Sequence, residues 1–276
     1  MRNRSRRRLS GNSADRPMYI HLTDAHCHAN IAELPQQEAE LQGMDVCVNA
    51  CFTYEWESLK NFSAFPVAKS YGIHPNLHVS EFDDLDFVER EIFSAYIPEL
   101  QQYLINADAI GETGFDARIT ARVPVELQRA IFQAHLELAD KFKLPVIVHC
   151  VGLWGETFDI LRKWAGVPKG LSEAERVRGI RERRFLIHAA NCSPELVKEL
   201  SKIGGYFSFG MRELAAKAGE KCAESVAADR LLTESDSSPS REISESAVKT
   251  LARIRNINDI ELSEILYKNF ENFYAK

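Results

Sequence analysis

Residues 21–28 read His-Leu-Thr-Asp-Ala-His-Cys-His. Asp24, His26 and His28 are spaced by two, so an extended strand end would set all three on one face. Neighbouring neutral imidazoles make a poor structural choice and a good divalent-metal site. A lone His-x-His pair is weak on its own. It gains weight from other residues along the chain: Glu112 and Asp116 in Gly-Glu-Thr-Gly-Phe-Asp, His149 after Pro-Val-Ile-Val, His188 after Phe-Leu-Ile, and Glu234 with Asp236 in Glu-Ser-Asp. His74 stands in Tyr-Gly-Ile-His-Pro. Four histidines with two or three carboxylates form a natural donor set for one or two divalent cations, whose usual work is to activate water for hydrolysis.

These residues are far apart in sequence, so elements must bring them together. Each comes after a short apolar run. The runs predict strands at 18–23, 46–50, 67–72, 107–111, 146–149, 185–188, 206–209 and 231–233. Helical patterns fill the gaps. The clearest spans 124–142, with Leu127, Ile131, Ala134 and Leu138 on one face. Another starts at Ser193-Pro194-Glu195, an N-cap followed by proline at the first helical position. Two helices, 242–255 and 261–272, close the chain. Eight βα units in about 260 residues is the arithmetic of a (β/α)₈ TIM barrel. A doubly wound open sheet shares the alternation. The barrel is favoured because His, Asp and Glu end nearly every strand, where a barrel carries its active site.

The net charge of −6 over 276 residues argues against extended, salt-driven nucleic-acid binding. It averages two unlike regions. Residues 1–16 hold six Arg against Asp15, a net of +5, which leaves −11 on the remaining 260. The first sixteen residues have no hydrophobic periodicity and are expected to form a disordered basic tail ahead of a single barrel domain, 17–276. No apolar stretch comes after Arg6-Arg7, so no export signal is expected. No run approaches the ~20 apolar residues of a membrane span. Cys27, Cys47, Cys51, Cys150, Cys192 and Cys222 form no Cys-x-x-Cys pair and read as reduced, buried thiols of a cytoplasmic protein.

The ordered set His-x-His, Gly-Glu-x-Gly-x-Asp, Pro-Val-x-Val-His, Ile-His and Glu-Ser-Asp resembles the TatD family of metal-dependent deoxyribonucleases, part of the amidohydrolase-like barrels. The likeness runs over about 18–273. It includes Tyr71-Gly72-Ile73-His74-Pro75, the helix bearing Gln128, Phe132, Leu138 and Ala139, and the closing Asn269 and Phe273. The resemblance implies one or two divalent ions (Zn, Mg or Mn). His26 and His28 would bind the first, His149 and His188 the second, and Glu112 would bridge them. Asp236 would touch the first ion and orient or deprotonate the attacking water. His74 would lie near the scissile group, with Asp24 and Glu234 behind the ligands. Two such ions ~4 Å apart can activate water on one side and stabilise the leaving oxygen on the other.

The chain departs from the family pattern in four places. Val151 stands where an Arg usually comes after the strand-5 His, which removes an expected phosphate contact. Ser237 and Ser238 precede Pro239, Ser235 replaces Thr, and Ala29 comes after His28. Phosphate contacts are therefore sought in Arg118, Arg122 and Arg241, and in Arg212, all on loops at the carboxyl ends of strands. The basic stretch 166–184 precedes strand 6 and belongs on the opposite face. His21, His78 and His135 read as structural or surface residues. Trp154 is the one tryptophan placed to stack on a base. The expected substrate is a DNA strand end or short single strand, hydrolysed by a protein working as a monomer. The rival is hydrolysis of a small ester, lactone or amide on the same metals. A third reading, a non-catalytic barrel, would require the donor set to have decayed.

Overall fold

Each short apolar run becomes a strand with its side chains buried on both faces, as a parallel barrel requires. The computed structural model describes residues 20–76, 85–166 and 183–275. The tail 1–16, His78 and most of the basic stretch, including Lys169, Arg176, Arg178 and Arg181, lie outside the described residues. The strands are β1 (Leu22–Cys27), β2 (Met44–Ala50), β3 (Ala68–Tyr71), β4 (Ala109–Asp116), β5 (Val146–Val151), β6 (Phe185–Ile187), β7 (Gly205–Phe209) and β8 (Leu231–Thr233). They lie parallel, in sequence order, in one eight-stranded sheet. The expected (β/α)₈ barrel is the fold.

The sheet curls until β8 meets β1. That seam is held at the carboxyl ends of the strands, where Asp236 N donates to His26 O (3.1 Å) and His28 N to Ser237 O (2.9 Å). Lower down, Thr233 Oγ1 donates to Thr23 O at 3.1 Å. One residue from each strand fills the interior: Ala25, Cys47, Ala68, Ala109, Ile147, Leu186, Tyr206 and Leu232. The small residues come from β1 to β4, the larger from β5 to β8.

The helices that matter to the site are α1 (Glu38–Leu41), α2 (Thr53–Asn61), α3 (Leu85–Glu91), α4 (Ile97–Leu104), α5 (Val125–Phe142), α6 (Trp154–Trp164), α7 (Pro194–Ser201), α8 (Met211–Leu214), α9 (Lys217–Ser225), α10 (Arg241–Arg255) and α11 (Asp259–Tyr274). α7 begins as expected, with Ser193 Oγ accepting from Leu196 N. α11 starts two residues before its expected position because Asn258 caps Ile260 and Glu261. Its last turn closes the floor of the barrel. Phe270, Phe273 and Tyr274 pack on the interior layer, and Tyr274 Oη donates to Ala25 O at 2.6 Å.

Two strands differ from expectation in a way that builds the site. β1 begins at Leu22 and runs to Cys27 rather than spanning 18–23. β4 runs on to Asp116 rather than ending at Gly111. In both, polar residues that look like a loop in sequence are buried strand. Both also carry a register shift. Asp24 pairs with Val46 and Cys27 with Val48, so Ala25 and His26 together oppose Cys47. Ile110 pairs with Val146 and Thr113 with Val148, so Gly111 and Glu112 together oppose Ile147. An extra residue in one strand re-aims the side chains beyond it. Simple alternation would set Asp24 with His26. The bulge sets Asp24 on the outward layer, beside the β8 seam.

Gly114 shows how tightly β4 and β5 are joined there. Its φ is +141°, and a Cβ would overlap the carbonyl oxygen of His149. Gly114→Ala is therefore expected to destabilise the fold by ~1–3 kcal/mol. Gly155 lies in α6 with nothing within 4 Å of a Cβ, so Gly155→Ala is expected to be neutral or mildly stabilising. Denaturant midpoints of the two variants measure the contrast. Equal midpoints would show that the backbone at 114 is not constrained.

Candidate metal centre

The carboxyl end of the barrel opens into a cleft of about 450 Å³. His28, His74, Glu112, His149, His188 and Asp236 all line it. A groove of about 750 Å³ beside α1 and the start of β2 shares none of them.

Glu112 is the hub. Its Oε2 lies 3.4 Å from His26 Nε2 and 3.2 Å from His28 Nε2. Its Oε1 lies 2.6 Å from both His149 Nδ1 and His188 Nε2, and 3.4 Å from His74 Nε2. The two oxygens thus face two groups of imidazoles, as a bridging carboxylate would. Asp236 Oδ1 stands 3.5 Å from His26 Nε2 and 3.8 Å from His188 Nδ1. The donor atoms fall into three overlapping triads: His26, His28 and Glu112; His26, His188 and Asp236; His74, Glu112 and His149. Within each triad they lie within 4.8 Å of one another. His188 therefore reaches towards the His26 side as well as the His149 side.

This donor set fits a divalent cation. His26 Nε2 is 3.0 Å from His28 Nε2, and His149 Nδ1 is 3.1 Å from His188 Nε2. Two bare imidazole nitrogens at that range repel unless a proton or a cation lies between them. The electrostatics agree. Burial alone would raise the Glu112 pKa, but His188, His74 and His26 outweigh it and hold the carboxyl well below its ordinary value. Burial would lower His26, yet Glu112 and Asp236 push its pKa up to about 9. His188 is likewise driven up, against its burial, by Glu112. Burial opposes ionisation of Asp236 too, but His26 and His188 bring it down to about 2.

A surrounding layer fixes the ligands. Glu234 accepts from Ala189 N at 2.6 Å through Oε1 and from the Ser208 hydroxyl through Oε2. It thereby pins the chain immediately after His188, where Ala189 takes φ +46°. Asp24 Oδ1 accepts from His26 N (3.3 Å) and Ser235 N (3.0 Å). It ties β1 to the Glu-Ser-Asp segment from behind, and burial pushes its pKa up to about 7. Cys51 donates its thiol to Glu112 Oε2 at 3.7 Å. His135, buried in α5, accepts from Ile73 N at 3.0 Å and so holds the segment that carries His74. On His74 itself, Nδ1 accepts from Asn76 N at 2.8 Å, which leaves the ring proton on Nε2, facing the cleft.

Asp116, the last residue of the Gly-Glu-x-Gly-x-Asp motif, is a junction. Its Oδ2 is 3.4 Å from His149 Nε2. The Arg118 guanidinium grips both its oxygens, Nε to Oδ1 at 2.9 Å and Nη2 to Oδ2 at 2.6 Å. A signal for this lies in the sequence, since an Arg two residues after a strand-end Asp can fold back on it. Arg212 donates to Asp236 Oδ2 at 3.3 Å and to Glu213 Oε1 at 2.7 Å, and it also lines the cleft. Arg122 reaches Asn76 Oδ1 at 3.5 Å, on the cleft edge. Arg241 does not join them: its guanidinium is taken up by the carbonyls of Glu40 and Gln42, below α1. Trp154 packs against the outer core and does not line the cleft. His21 sits at the start of β1, on Asp45 (2.9 Å) and stacked on Tyr267. Arg184, at the start of β6, binds Ala275 O, so this end of the basic stretch is on the floor side.

Residues 23–275 match the model of the TatD related DNase family, and the chain belongs to that family. It is a hydrolase of the TatD type. It is 23% identical over 269 residues to an uncharacterized metal-dependent hydrolase of Methanocaldococcus jannaschii, covering 93% of this chain and 98% of that one. A protein of the same description from Mycoplasma genitalium is 26% identical over 279 residues, covering 91% and 98%. The fold is shared with a TatD homologue of Escherichia coli, with TM-score 0.70, 19% identity and coverage of 92% and 98%. It is shared also with a TatD-family hydrolase of Entamoeba histolytica, with TM-score 0.71, 14% identity and coverage of 94% and 99%.

The charge balance of the centre has two measurable outcomes. Imidazoles must be neutral to bind metal, so metal uptake displaces protons. With His26 at about 9 against an ordinary 6.5, affinity is expected to climb with pH through that interval and level off above it. The same protons stabilise the metal-free fold, fully below pH 6.5, and that stability is lost as pH rises through about 9. Calorimetric titration with Zn²⁺ in buffers of different ionisation heat should read proton release at neutral pH; none would contradict the charged cluster. Separately, Asp116→Asn should weaken metal affinity by ~10–100-fold through His149, measured by competition with a chelator dye.

Proposed function

We propose that this hydrolase is a metal-dependent phosphodiesterase acting on DNA, at strand ends or short single strands. The observation that carries the reading is the pair of arginines on the cleft walls. Arg118 and Arg212 are each held by a carboxylate, Asp116 and Asp236, that also touches the centre. Both present guanidinium groups where a phosphate would approach the ligands. Asp116 pairs with Val151 across β4 and β5, so Arg118 is carried beside the position where the family pattern has its Arg. A cation lost from one strand end is thus replaced from its neighbour.

Bound divalent ions, Zn²⁺, Mn²⁺ or Mg²⁺, would supply Lewis acidity at the six donors His26, His28, Glu112, His149, His188 and Asp236. The chain does the rest. Asp236 is ionised at neutral pH, and its Oδ1 faces the donors, so it can orient the attacking water and take its proton. Its Oδ2 is braced by Arg212. His74 presents Nε2–H to a non-bridging phosphate oxygen. Arg118 and Arg212, with Arg122 at the edge, neutralise charge that grows on the phosphoryl oxygens. The six donors meet within a single barrel, so a monomer would suffice for the site. A reducing cytoplasm suits Cys192 and Cys222, whose sulfurs lie 3.8 Å apart as thiols. Among the described residues no helix is long and apolar enough to cross a membrane.

The second reading, hydrolysis of a small ester, lactone or amide, is favoured by Val151 alone, an apolar residue on the cleft wall. Chelator-treated protein should lose cleavage of a single-stranded oligonucleotide and regain it with Mg²⁺, Mn²⁺ or Zn²⁺. Arg118→Ala and Arg212→Ala should each raise KM for the oligonucleotide about tenfold or more, since each removes a charge-assisted contact. If restored metal supports turnover of lactones or p-nitrophenyl esters but not the oligonucleotide, the second reading takes its place.

A further inference from the structure

The donor set takes nothing from β2, yet the first residue after that strand reaches it. Cys51 comes directly after β2 and is 2% exposed. Its backbone is fixed on both sides. The N–H donates to Glu55 Oε2 at 2.9 Å, and the carbonyl accepts from His74 N at 3.3 Å. The side chain turns to the centre, with Sγ 3.7 Å from Glu112 Oε2 and 4.0 Å from His28 Nδ1. Other thiols find their partners elsewhere: Cys27 donates to Cys47 O, Cys150 meets Thr157, and Cys192 meets Cys222.

The spacing is that of ligands around one ion. A tetrahedral divalent cation holds N and O at ~2.0–2.1 Å and S at ~2.3 Å, which sets neighbouring N and O about 3.3 Å apart and S about 3.6 Å from either. Glu112 Oε2 lies 3.4 Å from His26 Nε2, 3.2 Å from His28 Nε2 and 3.7 Å from Cys51 Sγ. One carboxylate oxygen thus stands at ligand spacing from two imidazole nitrogens and a sulfur at once. A cysteine that served as apolar filling would sit better among aliphatic side chains than against an ionised carboxylate.

We propose that Cys51 is a sulfur ligand of the ion held by His26, His28 and Glu112. This rests on the metal-dependent reading of the centre and is independent of the substrate. On binding, the S–H bond gives way to a sulfur–metal bond and the proton leaves to solvent, so the step needs no oxidant or reductant. Thiolate is a soft ligand. It favours Zn²⁺ or Co²⁺ over Mg²⁺ and Mn²⁺, which prefer oxygen, and so narrows the choice of metal at this position.

The test loads full-length, chelator-stripped protein with Co²⁺. Its visible bands report occupancy, and a near-ultraviolet sulfur-to-cobalt band reports thiolate ligation. Wild type is expected to show both. Cys51→Ser and Cys51→Ala should keep the visible bands and lose the ultraviolet one, while Cys150→Ser, at the cleft wall, should keep both. Competition with a chelator dye should find Zn²⁺ held about tenfold or more weaker by Cys51→Ser, with Mn²⁺ altered less than about threefold. Zinc-edge X-ray absorption of the wild type needs no variant and should read a sulfur neighbour at ~2.3 Å. If the stripped protein takes up neither Co²⁺ nor Zn²⁺, the metal reading itself fails and the sulfur ligand with it. If ions bind with no sulfur signal, or that signal survives in both Cys51 variants, this proposal alone is overturned and the nitrogen–oxygen centre stands.

Discussion

Glu112 keeps a carboxylate at 1% exposure within 3.4 Å of five imidazoles, those of His26, His28, His74, His149 and His188. A lone charge in that position would be driven to neutrality by desolvation. The ring of nitrogen donors keeps it ionised instead, and the two need each other. Without the carboxylate the histidines are a cluster of mutually repelling bases. Without the histidines the carboxylate is an uncompensated buried charge. A divalent cation relieves both tensions, and each remaining part of the rim serves to hold these six side chains within reach of one another.

The barrel achieves this by irregularity at two chosen strands. Bulges at Ala25–His26 and Gly111–Glu112 send consecutive residues towards the interior, where regular pleating would send only one. The interior layer beneath the site is built of small residues on one half of the barrel, Ala25, Cys47, Ala68 and Ala109. Below it, Phe270, Phe273 and Tyr274 seal the other end, so the polar centre rests on an apolar plug. At the β8–β1 seam Asp236 adopts φ +49°, a conformation that costs most side chains energy and that Asp tolerates better than most. Its backbone N–H bonds His26 O, so the same residue closes the barrel and faces the metal ligands.

Charge is distributed with equal economy of parts. The arginines at the cleft, Arg118 and Arg212, are exposed but paired. Each is hydrogen-bonded to an acid that also touches the histidines. Asp116 links His149 to Arg118, and Asp236 links His26 to Arg212. The net negative charge of the chain is thus no guide to the cleft, where the carboxylates are balanced by imidazole and guanidinium groups. This balance is compatible with the proposed phosphodiester substrate at a compact site, rather than with a long basic surface.

Much of this was legible in the residues themselves. The alternation of apolar runs with amphipathic stretches specified eight βα units, because period and length are local properties. The strand-end histidines and acids named the side chains that gather at the centre, since a polar residue that ends an apolar run has few structural uses. The helix start at Ser193 comes from capping, which is also local. Three-dimensional packing alone decided the rest. Periodicity set Asp24 beside His26, but the bulge in β1 parts them, because register depends on the partner strand. Arg241 comes after β8 in sequence yet is captured by the carbonyls of Glu40 and Gln42, and Trp154 packs against the outer core. Asp116 meets Arg118 within its own loop, but its contact with His149 depends on β5. Sequence determined which groups the protein has and which elements carry them. Tertiary structure decided which of them meet, because contacts between distant strands depend on register and closure that no single segment encodes.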